Sequence, residues 1–336
     1  MSDPIQQAAF LQNATVSVVV ATFDRPDFLR ECLSSLVAQR TNRDVEIIVV
    51  DNHPASGLTP PVIAEFPQVK LFVETRQGLA YARNRGFLAS RGEIVVATDD
   101  DVLAPPDWLE NVIAPFAAPE VMVVTGNVLP WQLETKAQQL FETYGGLGRG
   151  PIKRTVDGAW FRQCRSAVPT WSLGATANAA FRKTIFRHPE IGVMYEALGP
   201  GMPSGVGEDT YLFYKALKAG FTVVYEPNAV VWHKHRREMP ELRRQIFAYS
   251  KGHVAYHLTT LFRDGDWRAA INLAILLPAT HLSRALRRLL GQSKYPLSMI
   301  LLEMTGNLIG PWALWKSLRR VAREGRSQSD RGEVGQ

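Results

Sequence analysis

From Val16 to Thr22 the chain reads VSVVVAT, nearly all apolar and β-branched, which is the pattern of a strand covered on both faces. Val45–Val50 (VEIIVV), Val69–Val73, Glu93–Thr98 (EIVVAT) and Val121–Thr125 repeat it. Between them the period changes. Phe28, Leu29, Cys32, Leu33 and Leu36 recur at helical spacing behind Asp24, a candidate cap, and Pro26, which suits a first helical turn. Gly78–Ser90 and Pro106–Ala117 also predict helices. Strands alternating with helices imply βαβ units, so the first half is expected to be an α/β structure with a mostly parallel sheet flanked by helices.

The pattern weakens from Thr143 to Thr170, where glycines and basic residues replace any sustained period, and a mobile loop is expected there. Regularity returns at Leu173–Ile185. A glycine-rich turn then leads into a helix from Glu208, and Thr222–Tyr225 and Ala229–Trp232 predict two short strands. Beyond Met239 the pattern is helical. Two apolar stretches stand out there: Ala269–Leu282, interrupted by Pro278, and Tyr295–Trp315, broken by Glu303, Gly306, Asn307, Gly310 and Pro311.

Over 336 residues, 46% hydrophobic and 21% charged side chains exclude intrinsic disorder as the main state. Two cysteines, Cys32 and Cys164, exclude a disulfide framework and a cysteine zinc site, and fit a reducing compartment. No basic run followed by an apolar core opens the chain, so a cytoplasmic location is expected. The net charge of +6 is unevenly spread. Residues 1–233 hold 20 Lys/Arg against 24 Asp/Glu, whereas residues 234–336 hold 18 against 8. The basic end is expected to meet an anionic partner, and no nucleic-acid module accompanies it, which leaves an anionic membrane surface.

Ligands of open parallel sheets bind beyond the carboxyl ends of the strands. Three polar clusters fall at such ends: Thr22–Arg25, Asp51-Asn52 and Asp99–Asp101. No glycine occupies the first strand-to-helix turn, which excludes the dinucleotide fingerprint and a phosphate loop of the P-loop kind. Three consecutive carboxylates repel one another unless a cation sits among them. A hard divalent ion such as Mg2+ or Mn2+ would relieve the repulsion. A solvated turn in which Asp99 or Asp101 caps the next helix is the alternative.

The segments SVVVATFDRPDFLRECLSSLVAQ, EIIVVDN, GLAYARNRGFLASRGEIVVATDDDV, GATANAAFRK, GVGEDTYLFYKALKAG and VVWH occur in that order. Together they resemble the family-2 glycosyltransferases, which have the glycosyltransferase-A fold, over roughly residues 16–235. The resemblance implies an inverting enzyme that takes a sugar from a nucleotide-diphosphate donor with the help of Mn2+ or Mg2+. Thr22 and Asp51 match positions that hold base and ribose, and Arg83 matches a nucleotide or phosphate contact. Arg25 and Asp100 sit among these donor-side groups. Asp99 and Asp101 match the ends of the metal-binding DxD motif, and His233 a position that completes the metal shell. The Glu208-Asp209 pair matches the catalytic residues, with Asp209 as the base; acidic residues at that place would also suit a helix start. The implied division is a tail (1–15), a nucleotide-sugar half (16–130) and an acceptor half (131–238) with the loop 143–170. A basic amphipathic helical region (239–325) and a disordered tail (326–336) follow.

Trp160, Trp171, Tyr195 and Trp232 are candidates for stacking on sugar rings. The two late apolar stretches fit peripheral attachment to the inner face of the membrane better than a hairpin across it. A hairpin would put Arg284, Arg287, Arg288 and Lys294 on the wrong side. The expected acceptor is therefore a glycan or a lipid-linked hydroxyl. Packing of the same helices on the catalytic body, or on a second subunit of a homo-oligomer, is the alternative. A non-catalytic nucleotide-sugar-binding or scaffold protein of the same fold is the alternative to the enzyme. A nucleotidyltransferase of related fold would need a glycine-rich loop after the first strand, and there is none.

Overall fold

The computed structural model describes residues 13–327, so most of the two expected tails lies outside the described residues. The first half alternates as the pattern predicts. β1 (Val16–Thr22), helix α1 (Pro26–Val37), β2 (Val45–Asp51), β3 (Val69–Val73), helix α2 (Leu79–Ala89) and β4 (Ile94–Asp99) follow in turn. A two-residue strand β5 (Val102–Leu103), then β6 (Val121–Pro130), helix α3 (Lys136–Tyr144), β7 (Arg154–Val156), β8 (Asn178–Arg182), helix α4 (Glu208–Lys218) and β9 (Thr222–His233) complete the body. All nine strands form one sheet in the order β3-β2-β1-β4-β8-β6-β9-β5, with β7 paired to β9.

Pleating sends alternate side chains to opposite faces. Val19, Ile48 and Val95 meet α2 and α4 on one side; Val18, Val20, Leu29, Leu33 and Trp108 form the core on the other. The closest approach is at Gly86 of α2, where an added Cβ would lie 2.3 Å from Val19 Cγ1.

The sheet is mixed. β1–β4, β6 and β9 run one way, while β8 inserts antiparallel between β4 and β6, and β5 and β7 run antiparallel to β9. Residue pattern marks a strand but not its direction, which is set by the connections around it. The two short strands expected at 222–232 are one strand. Its pairing with β6 jumps from Gly126↔Glu226 to Asn127↔Val230, so Pro227, which has no N–H to donate, sits in a bulge. The segment expected to be an irregular loop contains β7 and a short helix, Gly158–Gln163, capped by Asp157 through the Trp160 N–H at 2.9 Å. Three-residue strands and six-residue helices are too short to show a period.

After β9 come α5 (Met239–Asp264), α6 (Arg268–Leu289, with a π turn at Asn272–Leu276) and α7 (Leu297–Glu324). A third apolar cluster, including Phe141, Ile246 and Met299, joins α3, α5 and α7. Both cysteines are free thiols.

Candidate active site

Register brings the first three clusters together: Thr22 pairs with Asp51, and Ala21 with Asp99, so three strand ends are level. The Thr22 hydroxyl donates to Asp100 Oδ2 at 2.8 Å. Arg25 Nη1 donates to Asp100 Oδ1 at 3.0 Å and to Asp101 Oδ2 at 3.1 Å. The turn after β1 is pinned to the turn after β2. Asp24, in the left-handed region at φ 54°, meets His53 Nδ1 at 2.7 Å, and the Phe23 and His53 rings stack at 4.9 Å.

Asp51 is buried and accepts the His53 N–H at 2.8 Å; its neighbour Asn52, not Asp51, lines the cleft. Asn52 ties the loop before α2 by donating to the Glu74 and Arg76 carbonyls and accepting the Gly78 N–H at 2.8 Å.

Arg83, on α2 and 2% exposed, is the central cation. Its guanidinium donates to Asp99, to the Thr176 hydroxyl, and to Glu208 Oε1 at 3.2 Å. Glu208 is buried at the start of α4; burial, helped by the charge of Asp209 and opposed by Arg83, pushes its carboxyl up to about 8. Asp209, one residue on, lines the cleft half-buried, with its carboxylate near the Thr176 N–H at 3.4 Å. The adjacent acids thus have different tasks available: one holds Arg83, the other faces open space.

At the end of β9, His233 Nε2 lies 3.2 Å from Asp101 Oδ1. One donor atom each from Asp99, Asp101 and His233 lies within 4.8 Å of the others. Burial pushes Asp100 up to about 6, with the charge of Asp101 adding to it; burial also acts on Asp101, but His233 and Arg25 outweigh it and hold that carboxyl below its ordinary range. His233 is shifted upward because Asp101 and Asp99 outweigh its burial.

Behind His233 stands a chain that the sequence did not announce. His233 Nδ1 meets His235 Nδ1 at 3.0 Å, and His235 Nε2 meets Glu142 Oε1, on α3, at 2.8 Å. If His235 gives its Nε2 proton to Glu142, its Nδ1 accepts from His233 Nδ1–H. The lone pair of neutral His233 then sits on Nε2, toward the two aspartates, as a metal ligand requires.

The model of glycosyl transferase family 2 matches residues 17–188, half of the chain. The chain belongs to glycosyl transferase family 2. Among its relatives, the N-acetylglucosaminyltransferase of Bradyrhizobium diazoefficiens is 26% identical over 69% of this chain and 47% of its own. The glucosyl-dolichyl phosphate glucuronosyltransferase of Haloferax volcanii is 31% identical over 34% of this chain and 38% of its own. The chain thus spans less than half the length of these relatives. Among solved structures, the mannosyltransferase of Pyrobaculum calidifontis, in complex with GDP-Man and Mn2+, superposes with a TM-score of 0.51 at 18% identity, covering 96% of this chain and 82% of that one. S. aureus TarS gives 0.51 at 16% identity, over 74% and 40%. At these identities the likeness is one of fold.

The family-2 cleft is a cavity of about 1010 Å3. Thr22, Arg25, Arg83, all three consecutive aspartates, Glu208, Asp209 and His233 line it. Of the four aromatic candidates only Trp171 does. Trp160 and Tyr195 pack against the core, and Trp232 sits edge-on to Trp131 at 6.3 Å. Arg149, Arg236 and Arg244 also face the cavity, and among the described residues none of the three meets a carboxylate within ion-pair distance. In the sequence they look like any solvated basic residue; only the fold turns them inward.

Proposed function

We propose that this family-2 protein is an inverting glycosyltransferase that moves a sugar from a nucleotide-diphosphate donor to a hydroxyl of a lipid-linked or polysaccharide-precursor acceptor. One observation carries the reading: Asp99, Asp101 and His233 gather on one wall of the cavity into which Asp209 opens, with no ion pair of its own among the described residues.

The residues fit a hard divalent cation. Asp101 Oδ1 is buried and accepts no hydrogen bond, although His233 lies beside it, and two carboxylate oxygens with one imidazole nitrogen suit Mn2+ or Mg2+. Asp99, Asp101 and His233 would hold the ion, which when bound supplies charge neutralisation for a leaving diphosphate. The Mn2+ and GDP-Man of the Pyrobaculum mannosyltransferase support both ligands.

The protein groups divide the remaining work. Thr22 and Arg25 order Asp100 and Asp101, while Arg83 fixes Asp99 on one side and Glu208 on the other. Arg236 and Arg149, which meet no carboxylate within ion-pair distance among the described residues, suit the diphosphate oxygens. Asp209 is the general base that takes the acceptor hydroxyl proton as the hydroxyl attacks the anomeric carbon. With Asp209 as the one base and an in-line attack, the displacement happens once and the configuration inverts, as in hydrolysis by a single displacement. Glu208, held by Arg83 and carrying its proton near neutrality, positions that arginine. The Haloferax relative, a glucosyl-dolichyl phosphate glucuronosyltransferase, supports an acceptor carried on a lipid phosphate.

A thermal-shift panel of UDP, GDP and dTDP sugars, with and without Mn2+, tests this. The expected result is stabilisation by one nucleotide, about 2.7 kcal/mol at a hundredfold excess over Kd, that disappears on chelation. No shift with any of them overturns the donor reading. A shift with no release of nucleoside diphosphate in the presence of acceptor restores the non-catalytic alternative.

A further inference from the structure

Helix α7 has two apolar faces, and only one of them is covered. Gly306 and Gly310 lie against α5, so tightly that a Cβ at Gly310 would come 2.6 Å from Val254 Cβ, and Met299, Ala313 and Val321 are also buried. On the opposite side Leu301, Met304, Leu308, Trp312 and Trp315 recur every three or four residues; Leu308 is 83% exposed and Trp312 56%. α6 repeats the arrangement with Ile275, Leu282, Leu286 and Leu289, all exposed. The helices form an antiparallel pair, joined by Arg284–Glu303 at 2.6 Å and His281–Asn307 at 2.7 Å. Single exposed leucines are ordinary, but two sustained stripes on one helix pair call for a partner.

Charge says which partner. Lys316 stands 3.6 Å from the centre of the Trp312 ring and Arg319 lies 4.9 Å from that of Trp315, so each tryptophan at the end of the stripe carries a cation one turn on. Arg287, Arg288, Lys294 and Arg323 are exposed nearby. The carboxylates of the pair are Glu303, buried against Arg284, and Glu324, engaged by Arg320. An apolar stripe ending in tryptophans and cations, without a free carboxylate, is complementary to a layer of hydrocarbon beneath anionic headgroups.

Both helices are long and apolar enough to cross a bilayer. Their packing forbids it for α7. Its inner face rests on α5, and its end reaches the donor half, where Arg320 Nη1 donates to the Gly201 carbonyl at 2.9 Å and the Tyr81 hydroxyl to that of Gly325 at 2.9 Å. A helix docked along its length on the catalytic body can offer lipid only its other side.

We infer that α6 and α7 form a monotopic docking face for an anionic lipid bilayer. The catalytic cavity extends to this pair: besides Asp209 and Trp171 it is lined by Leu277, Thr280 and His281 of α6 and Asn307 of α7, and His281 Nδ1 is buried without a partner. An acceptor anchored by an apolar chain would present its polar end along that route, a corollary that rests on the transfer reading; the docking face does not.

Flotation of the full chain with vesicles of phosphatidylcholine, alone or mixed with phosphatidylglycerol, tests the face. Binding to the mixed vesicles is expected, falling about tenfold or more in Leu308→Glu/Trp312→Glu and, on the mixed vesicles alone, in Lys316→Glu/Arg319→Glu. The stabilisation by donor should be unchanged in both variants, which separates loss of docking from misfolding and from failure of the transfer reading. No flotation with the anionic vesicles overturns the proposal. So does flotation unaffected by either pair of substitutions. Conversion of a dimer to a monomer by Leu308→Glu, without vesicle binding by the parent chain, would assign the face to a second copy instead.

Discussion

The strand-tip half and the helical half use the same kinds of side chain to different ends. In the first, the apolar runs of β1, β2 and β4 are covered on both faces, and the polar groups at their tips are largely tied to one another: Arg83 alone bridges Asp99, Thr176 and Glu208, while Asp101 Oδ1 is left open. In the second, apolar stripes on α6 and α7 face outward, and Arg244 of α5 faces the cavity with no carboxylate within ion-pair distance among the described residues. One region is satisfied within the protein except at the candidate metal site. The other has interactions in reserve, and such reserves on a fold that is otherwise well satisfied point to ligands rather than to poor packing.

Asp209 lies at the seam between the two, and it offers the largest test. Asp209→Asn removes the proposed base while keeping size and the N–H contact from Thr176, so turnover should fall by about 10²–10⁴-fold. Donor-induced stabilisation should be retained, since the donor wall is untouched. Undiminished turnover in a single-turnover assay would remove Asp209 from the mechanism.

Arg83 and Arg244 sharpen the contrast between engaged and reserved cations. Arg83→Met leaves Glu208 without its donor in a buried setting and Asp99 without its cation, and a loss of about 1–3 kcal/mol in urea unfolding is expected. Arg244→Met breaks no ion pair among the described residues, so stability should move by no more than about 0.5 kcal/mol, with the effect appearing in substrate KM. Equal losses in both variants would end the distinction.

What could be read from the chain follows the same division. The strand tips were legible because β-branched runs stop at polar residues, and the motifs hold Asp99, Asp101, Asp209 and His233 at recognisable spacing. Glu142 was not, since it sits 93 residues before the histidine it supports and only α3 packing on α5 and β9 brings it there. The inward arginines were hidden because neither the loops that carry Arg149 and Arg236 nor the helix that carries Arg244 shows in its sequence which way a charge faces. The late apolar stretches were visible as stretches, but that α7 has one covered and one open face depends on Gly306 and Gly310, which permit close contact with α5.

Packing tolerance should differ as well. At Gly86 the neighbours are Val19 and Val50 of the sheet, which cannot swing away, so Gly86→Ala should cost about 1–3 kcal/mol by displacing α2. A substitution of similar size on the outer stripe, Leu308→Ala, should leave the urea midpoint nearly unchanged.

A test of another kind concerns acid. His253, His257 and His281 lie in the α5–α6 region, with Trp171 against the first two rings and Asn272 meeting His253 Nε2 at 3.2 Å. Burial lowers all three, and brings His253 to about 4. A histidine whose folded pKa lies below its unfolded value of 6.5 binds its proton more readily when unfolded, so its contribution to stability is complete above 6.5 and is lost as the pH falls toward 4. The carboxylate nearest the group, Glu303, favours protonation of His281 but is held by Arg284, so it offsets little. Tm should therefore decline between pH 6.5 and 4, and the decline should be shallower in His253→Gln, which keeps a hydrogen-bonding group toward Asn272 but does not titrate. Parallel Tm profiles for the two proteins would mean that acid acts elsewhere, and that the helical half is no more sensitive to protons than the sheet.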